Sequence, residues 1–311
     1  MDALGELLAL MRATGASIYH NAQVKRFPDG SAVVMCFDRA IIRERGWEAV
    51  GPPGRAEAAP EGGEDKAKPK RPEAANLERS RRRARNAVFD IANATDFEWF
   101  VTLTVSSDKL NRHDPEEVFQ HLHDWLDNCV RRHGLAYVLV PEYHKDGAVH
   151  FHALFNDALT VTDSGTVIPP GGGKPRRPRS KAQRAAWLAA GGRVVYNLPA
   201  WGWGFTTAIR LYGDRQAAVG YVCKYITKAD QKIGGRWYYS GGDLRRPFVD
   251  AVDLDFDAAA GCGVTFAVDE LGCRGVKFTL KGDKVDETLE RLSRPVEPVH
   301  DPGEQQRGPV L

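Results

Sequence analysis

The sequence predicts an α+β fold built on an antiparallel sheet, and three features of its 311 residues carry that prediction. Between about residues 97 and 229, segments alternate in the order strand, helix, strand, strand, strand, helix. The two central strands, "AYVLVPEYH" and "AVHFHALF", are separated only by "KDG", far too short for a parallel crossover. "HDPEEVFQHLHDWLDNCVRRHG" reads as one helix with both ends marked. The sheet is expected to carry helices on one face and to leave the other open.

Taken in order, residues 16–43 show two apolar runs around Pro28, Asp29 and Gly30, the pattern of a hairpin within an N-terminal region of 1–50. Residues 51–75, rich in Pro, Gly and charge without periodicity, read as a disordered linker. A main domain is expected over 76–247. It opens with "NLERSRRRARNAVFDIANA" as a helix and "FEWFVTLTV" as a strand. In the marked helix Asp114 suits the N-cap, Pro115 the first turn, Arg131 and Arg132 the last, and Gly134 the stop. Residues 157–195 read as a mobile Gly/Pro/Arg-rich insertion, after which "FTTAIRL" is a strand and "RQAAVGYVCKYITKA" a helix. An α/β extension over 248–293 and a disordered tail over 294–311 complete the expectation.

With 42% hydrophobic and 27% charged residues the chain can bury an ordinary core. No apolar run approaches a membrane span, and the first residues lack the order of a signal peptide, so the expected location is the cytoplasm. The five cysteines are odd in number and without CxxC spacing, which argues against a disulfide framework and a cysteine zinc site. A net charge of +2 conceals two basic runs: Lys66–Asn86 holds nine Lys or Arg against two Glu, and Lys174–Arg193 holds seven against none. Such runs suit a polyanion, with Trp187, Trp201 and Trp203 near the second, although solvated tails have the same composition.

Two His-x-His pairs stand out. On a strand, positions i and i+2 share a face, so His150, His152 and Leu154 lie opposite Phe151, Ala153 and Phe155. On a helix the same spacing turns about 200°, so His121 and His123 cannot hold one ion together. Spacing alone leaves the strand pair open between a metal site and two histidines lining a half-exposed sheet. A three-residue loop of Lys145, Asp146 and Gly147, with Gly147 left-handed, sets Glu142 opposite His150, whereas a two-residue loop turns Glu142 into the core. The first register gathers Glu142, His150 and His152 into a set suited to Mg²⁺ or Mn²⁺. Pro141 counts against a regular strand there and calls for a bulge. Farther on, Tyr221, Lys224, Tyr225 and Lys228 fall on one helical stripe, with Val219, Val222, Cys223 and Ile226 on the packing side. A tyrosine pair completing the core and a nucleophile flanked by ammonium groups both fit that stripe.

In combination these segments resemble the HUH family of single-strand DNA endonucleases, and within it the rolling-circle replication initiators of small phages and plasmids. "FVTLTV" matches the first strand motif, "HFH" the His-hydrophobic-His motif, and "YVCKY" with Lys228 the two-tyrosine motif. "WGWGFTTAIRL" is similar to the strand before the tyrosine helix, and the likeness covers about 97–229. The resemblance implies an antiparallel sheet of HUH/ferredoxin-like type. It also implies metal ligands at His150, His152 and Glu142, nucleophiles at Tyr221 and Tyr225, and Lys224 as a helper to charge at the phosphate. Thr102 and Thr104, on the functional side of their strand, together with Lys228, Arg176, Arg177 and Arg179, are the expected DNA contacts.

The implied reaction is metal-dependent nicking and rejoining of single-stranded origin DNA through a 5′-phosphotyrosine link, leaving a 3′-hydroxyl primer. "GGGKP" is not a phosphate-binding loop, so a separate host helicase and polymerase are the expected partners. A transposase or relaxase shares this chemistry, and a non-catalytic strand-binding protein shares the sheet and basic runs. Two tyrosines after the histidine strand favour the initiator over the first pair, and metal dependence separates it from the last.

Overall fold

The computed structural model describes residues 19–43, 73–211, 215–268 and 271–293. The chain divides into two compact units: one spans 61–247, and the other combines 1–60 with 248–311. The linker expected over 51–75 lies outside the described residues up to position 72, as does the whole of the tail expected at 294–311.

In the unit combining both chain ends, β1 (Tyr19–His20) pairs with β4 (Ile42–Arg43), while β2 (Ala22–Arg26) and β3 (Ala32–Phe37) form the hairpin expected around Gly30, whose φ is 77°. The C-terminal segment returns to that hairpin. Its β12 (Phe248–Val252), β13 (Val264–Val268) and β14 (Cys273–Leu280) join it in an antiparallel sheet of order β12-β2-β3-β14-β13. Helices α5 (Phe256–Ala260) and α6 (Lys284–Leu292) cover one face, where Val24, Val34, Cys36, Val276 and Phe278 pack against Phe256, Val285 and Leu289. Buried Asn21 links the two segments, since its amide donates to the carbonyls of Phe37 and Leu254 and its oxygen accepts from the Leu254 N–H.

The larger unit starts with α1 (Glu73–Ala94) and β5 (Trp99–Val105), followed by α2 (Pro115–His133), β6 (Tyr137–Tyr143) and β7 (Val149–Phe155). Then come β8 (Thr162–Ile168), α3 (Lys181–Ala189), β9 (Arg193–Asn197), β10 (Gly204–Arg210), α4 (Arg215–Lys228) and β11 (Tyr239–Gly241). The seven strands form one sheet of order β11-β6-β7-β5-β10-β9-β8, every pairing antiparallel, so the α+β fold with an antiparallel sheet is as expected. Helix α2 has the ends its sequence announces: Asp114 accepts from the Glu116 and Glu117 N–H groups, and Gly134 closes it at φ 69°.

The expectation of helices on one face needs correction. Alternation along β5, β6 and β7 sends Val101, Leu103, Leu139, Phe151 and Phe155 to one side, where Phe119, Leu122 and Leu126 of α2 meet them. It sends Val138, Val140 and Leu154 to the other side, under Ala84, Val88 and Ile91 of α1 and Val219, Val222 and Ile226 of α4. Both faces therefore carry helices. The apolar stripe of α1 is what closes the second face, and the arginines around it obscure that stripe in the sequence. On that second face Thr102, Thr104 and His150 stay partly exposed.

The segment 157–195, read as an insertion without elements, holds β8, α3 and β9 and extends the sheet at one edge. Ser180 caps α3 by accepting from the Gln183 N–H. Val167 and Val195 supply fully buried apolar groups despite the surrounding Gly, Pro and Arg.

Candidate active site

The β6–β7 hairpin sets the geometry. The His144 N–H donates to the Ala148 carbonyl at 2.8 Å, which leaves Lys145, Asp146 and Gly147 as the loop, with Gly147 at φ 86°. Asp146 accepts from the Ala148 N–H, and that bond, aided by nearby Arg112, holds its carboxyl below the usual range. The register therefore pairs Glu142 with His150, the arrangement expected of a three-residue loop. Pro141 needs no bulge. It pairs with Phe151 in the regular ladder, between two hydrogen-bonded pairs, so its ring nitrogen faces away from β7. On its other side β11 reaches only Tyr137–Leu139, so Pro141 lies on a free edge where no N–H is required.

Three atoms converge on the second face of the sheet. Nε2 of His150 and Nε2 of His152 lie 3.1 Å apart, and Oε2 of Glu142 lies 3.1 Å from the first and 3.0 Å from the second. Neighbouring ligands of an octahedral ion with bonds of about 2.1 Å stand about 3.0 Å apart, so the set fits one face of such a shell. Burial, then the neighbouring charge of His150, pushes the His152 imidazole down to about 3, and burial also lowers His150 against the opposing pull of Glu142. Both rings are thus held neutral with lone pairs available, as metal ligation requires. His152 Nδ1 lies 3.3 Å from Thr102 Oγ1, a contact that orients the ring with Nε2 toward Glu142. Glu142, His150 and His152 can hold a metal ion.

Helix α4 lies over this cluster. The Tyr225 ring stacks on His152 with centroids 3.7 Å apart and planes 13° from parallel, and Tyr225 is 9% exposed. Burial, then a hydrogen bond shared with Tyr221, raises its hydroxyl well above the ordinary tyrosine value. Tyr221, one turn earlier, is 44% exposed and stands edge-on to Tyr225 and to Phe100. Lys224 is exposed, with Nζ 6.0 Å from the Tyr221 ring centre. Val219, Val222, Cys223 and Ile226 are buried on the opposite side of α4, as their spacing indicates.

Residues 98–230 match the family model of the replication-associated proteins of ORF2 type. The matched stretch is less than half of the 311-residue chain, and it contains the metal-ligand set and both tyrosines. Searches of curated proteins and of solved structures returned no match. The match supports a replication initiator, and with it a role in DNA replication.

The remaining expected contacts fall into two groups. Thr102 pairs with His152 and Thr104 with His150 across β5 and β7, so both threonines border the cluster. Lys228 is exposed at the end of α4. Arg176, Arg177 and Arg179 sit beyond β8, four strands from β7, which places them about 19 Å away across the sheet at ordinary strand spacing. Trp201 is unavailable for stacking on a strand: it is buried against Trp125, and its indole N–H donates to the Thr104 carbonyl. His121 packs on Trp203 and His123 lies near Phe119 and Tyr239, so neither joins the cluster.

Three residues at the site escaped the sequence reading. Phe100, stacked on His152 and edge-on to Tyr221, follows from the two-residue period of β5 that picks out Thr102 and Thr104. Arg112 and His144 line a cavity of about 260 Å³ with Thr102, Thr104 and His150. Both come from irregular segments, where no periodicity marks them.

No helix among the described residues is long and apolar enough to cross a membrane.

Proposed function

We propose that this chain is a rolling-circle replication initiator that nicks and rejoins single-stranded DNA at an origin. The observation that carries the reading is one cluster in which Glu142, His150 and His152 converge within 3.1 Å while Tyr225 stacks on His152 and Tyr221 stands exposed beside it. A divalent ion, Mg²⁺ or Mn²⁺, held by those three residues supplies Lewis-acid polarisation of the scissile phosphate.

Tyr221 is the first nucleophile, because it alone of the two is open to a substrate. Its oxygen bonds to phosphorus, the bond from phosphorus to the 3′ oxygen breaks, and the hydroxyl proton passes to the leaving oxygen. The products are a 5′-phosphotyrosine and a free 3′-hydroxyl, with the energy of the diester retained for rejoining. Lys224 offsets charge at the phosphate, and Thr102 keeps His152 oriented. Tyr225 becomes the second nucleophile when α4 shifts it off His152. Thr104, Lys228 and the cavity beside Arg112 and His144 are the surfaces proposed for the strand next to the scissile bond, and Arg176, Arg177 and Arg179 for DNA farther away. The reaction would take place in the cytoplasm, with duplex opening left to a separate helicase and extension of the primer to a polymerase.

The test is incubation of labelled single-stranded DNA from the replicon with Mn²⁺ or chelator, followed by denaturing gels of the wild type, His152→Ala, Tyr221→Phe and Tyr225→Phe. The expected result is a covalent band that needs metal, disappears in His152→Ala and Tyr221→Phe, and survives in Tyr225→Phe. Strand binding that persists in chelator with no adduct under any ion would replace this reading with a non-catalytic one.

A further inference from the structure

A second cleft, of about 420 Å³, lies between α1 and the loop that follows the tyrosine helix. Its lining includes Arg83 of α1 with Lys232 and Arg236 of the loop, the hydroxyl residues Ser80 and Ser240, and the half-buried ring of Tyr238. No Asp or Glu lines it. All three cations are exposed, and none is ion-paired with a carboxylate among the described residues. The contrast with Arg81, two residues earlier, is informative. Arg81 pairs with Glu78 and donates to the carbonyls of Thr227 and Ala229 at the end of α4, so its charge is already used. Arg83 points elsewhere, because two residues turn a helix by about 200°.

The walls of this cleft are held in place from within. The Trp237 indole N–H donates to Ser80 Oγ at 3.0 Å, pinning the loop to α1. Tyr239 donates its hydroxyl to the carbonyls of Ile233 and Gly234, fixing the bend from which Lys232 and Arg236 project. Three cations without carboxylate partners, two hydroxyls and an aromatic ring on one fixed surface are the elements of a single-strand site: cations for phosphates, a ring face for a base. Arg81 ties this part of α1 to the end of α4, and Tyr221 stands seven residues before Lys228, or about 10 Å along the helix axis.

We propose that this cleft binds the phosphodiester backbone of the single strand flanking the scissile bond, with Arg83, Lys232 and Arg236 on its phosphates and Tyr238 stacked on a base. The inference rests on the proposed nicking function, since it assigns the cleft to the same substrate.

The test measures fluorescence anisotropy of full-length protein with labelled oligothymidylate of 30 nucleotides across a salt series, for the wild type and for Arg83→Gln/Lys232→Gln/Arg236→Gln. The triple variant should bind at least tenfold more weakly at 0.1 M salt. At about 0.7 per phosphate contact on single strands, its logarithmic salt slope should flatten by about 2. Its Mn²⁺ affinity by calorimetry should match the wild type, which reports an intact fold. Tyr238→Ala should weaken binding at least fivefold and leave the slope unchanged. Unchanged affinity and slope in the triple variant would overturn the inference, as would a loss confined to a 30-base-pair duplex or to inorganic phosphate and thymidine monophosphate. The two readings fail separately. A triple variant that loses oligonucleotide binding when the wild type forms no covalent adduct removes the nicking reaction and keeps the cleft, whereas a normal adduct with an unaltered salt slope removes the cleft and keeps the reaction.

Discussion

His152 is held neutral by its surroundings, and that has a cost as the pH falls. Its folded-state value of about 3 lies below the ordinary imidazole value of 6.5, so the unfolded chain takes up the proton first. The associated stability is complete above about pH 6.5 and is lost progressively toward pH 3, by up to about 1.4 kcal/mol per pH unit for one group. Urea midpoints of the metal-free protein should therefore drop steadily from pH 7 to pH 5, and His152→Gln should flatten the trend; a wild-type midpoint that ignores pH over that range would contradict the assignment. Thr102 acts on the same ring. Thr102→Val removes the hydroxyl beside His152 Nδ1 at nearly constant volume and should weaken Mn²⁺ binding about 10- to 100-fold in calorimetry, with little change in thermal stability. Much of this cluster was legible in the sequence, because strand alternation and one left-handed glycine place Glu142, His150 and His152 together. The stacking of Tyr225 on His152 was not legible, since helix α4 packs across the sheet at an angle that no local pattern encodes.

Among the elements, those with strong local signals were readable and those defined by their neighbours were not. Helix α2 declares its caps and charges at Asp114, Pro115 and Gly134, whereas the strands β8 and β9 are short, polar on one side and hidden among Gly, Pro and Arg. Helix α1 shows the same limit from the other direction, with five arginines between Arg79 and Arg85 concealing the stripe that covers half of a sheet face. Strand β10 depends on a glycine for its close approach to β5. A Cβ at Gly204 would stand 2.2 Å from the Thr104 carbonyl oxygen and 2.6 Å from the Ser106 nitrogen, both rigid backbone atoms. Gly204→Ala should thus push the strands apart beside Thr104 and cost about 1–3 kcal/mol in denaturant unfolding. An alanine variant as stable as the parent would show that β10 can slide without loss.

At the level of the whole molecule, the proposed chemistry belongs to a single unit. The metal-ligand set, the tyrosine helix and the basic cleft all fall within 61–247, and that unit has its own buried clusters on both faces of its sheet. A fragment of residues 73–247 should therefore bind Mn²⁺ with the affinity of the full chain, and a tenfold weaker value would show that the site needs the other unit. The sequence revealed the N-terminal hairpin and the C-terminal segment but not their partnership, because pairing between residues more than 230 positions apart leaves no local trace. Strands β3 and β14 are such a pair, with Ala32 opposite Leu280. During synthesis at about 5–20 residues per second, β3 emerges ten seconds or more before β14 exists. A lone two-stranded hairpin is marginal in water, so β2 and β3 wait without a stable sheet while the intervening domain is completed. The DNA-processing unit is thus the first to mature on the ribosome, and the unit that brackets it in sequence closes last.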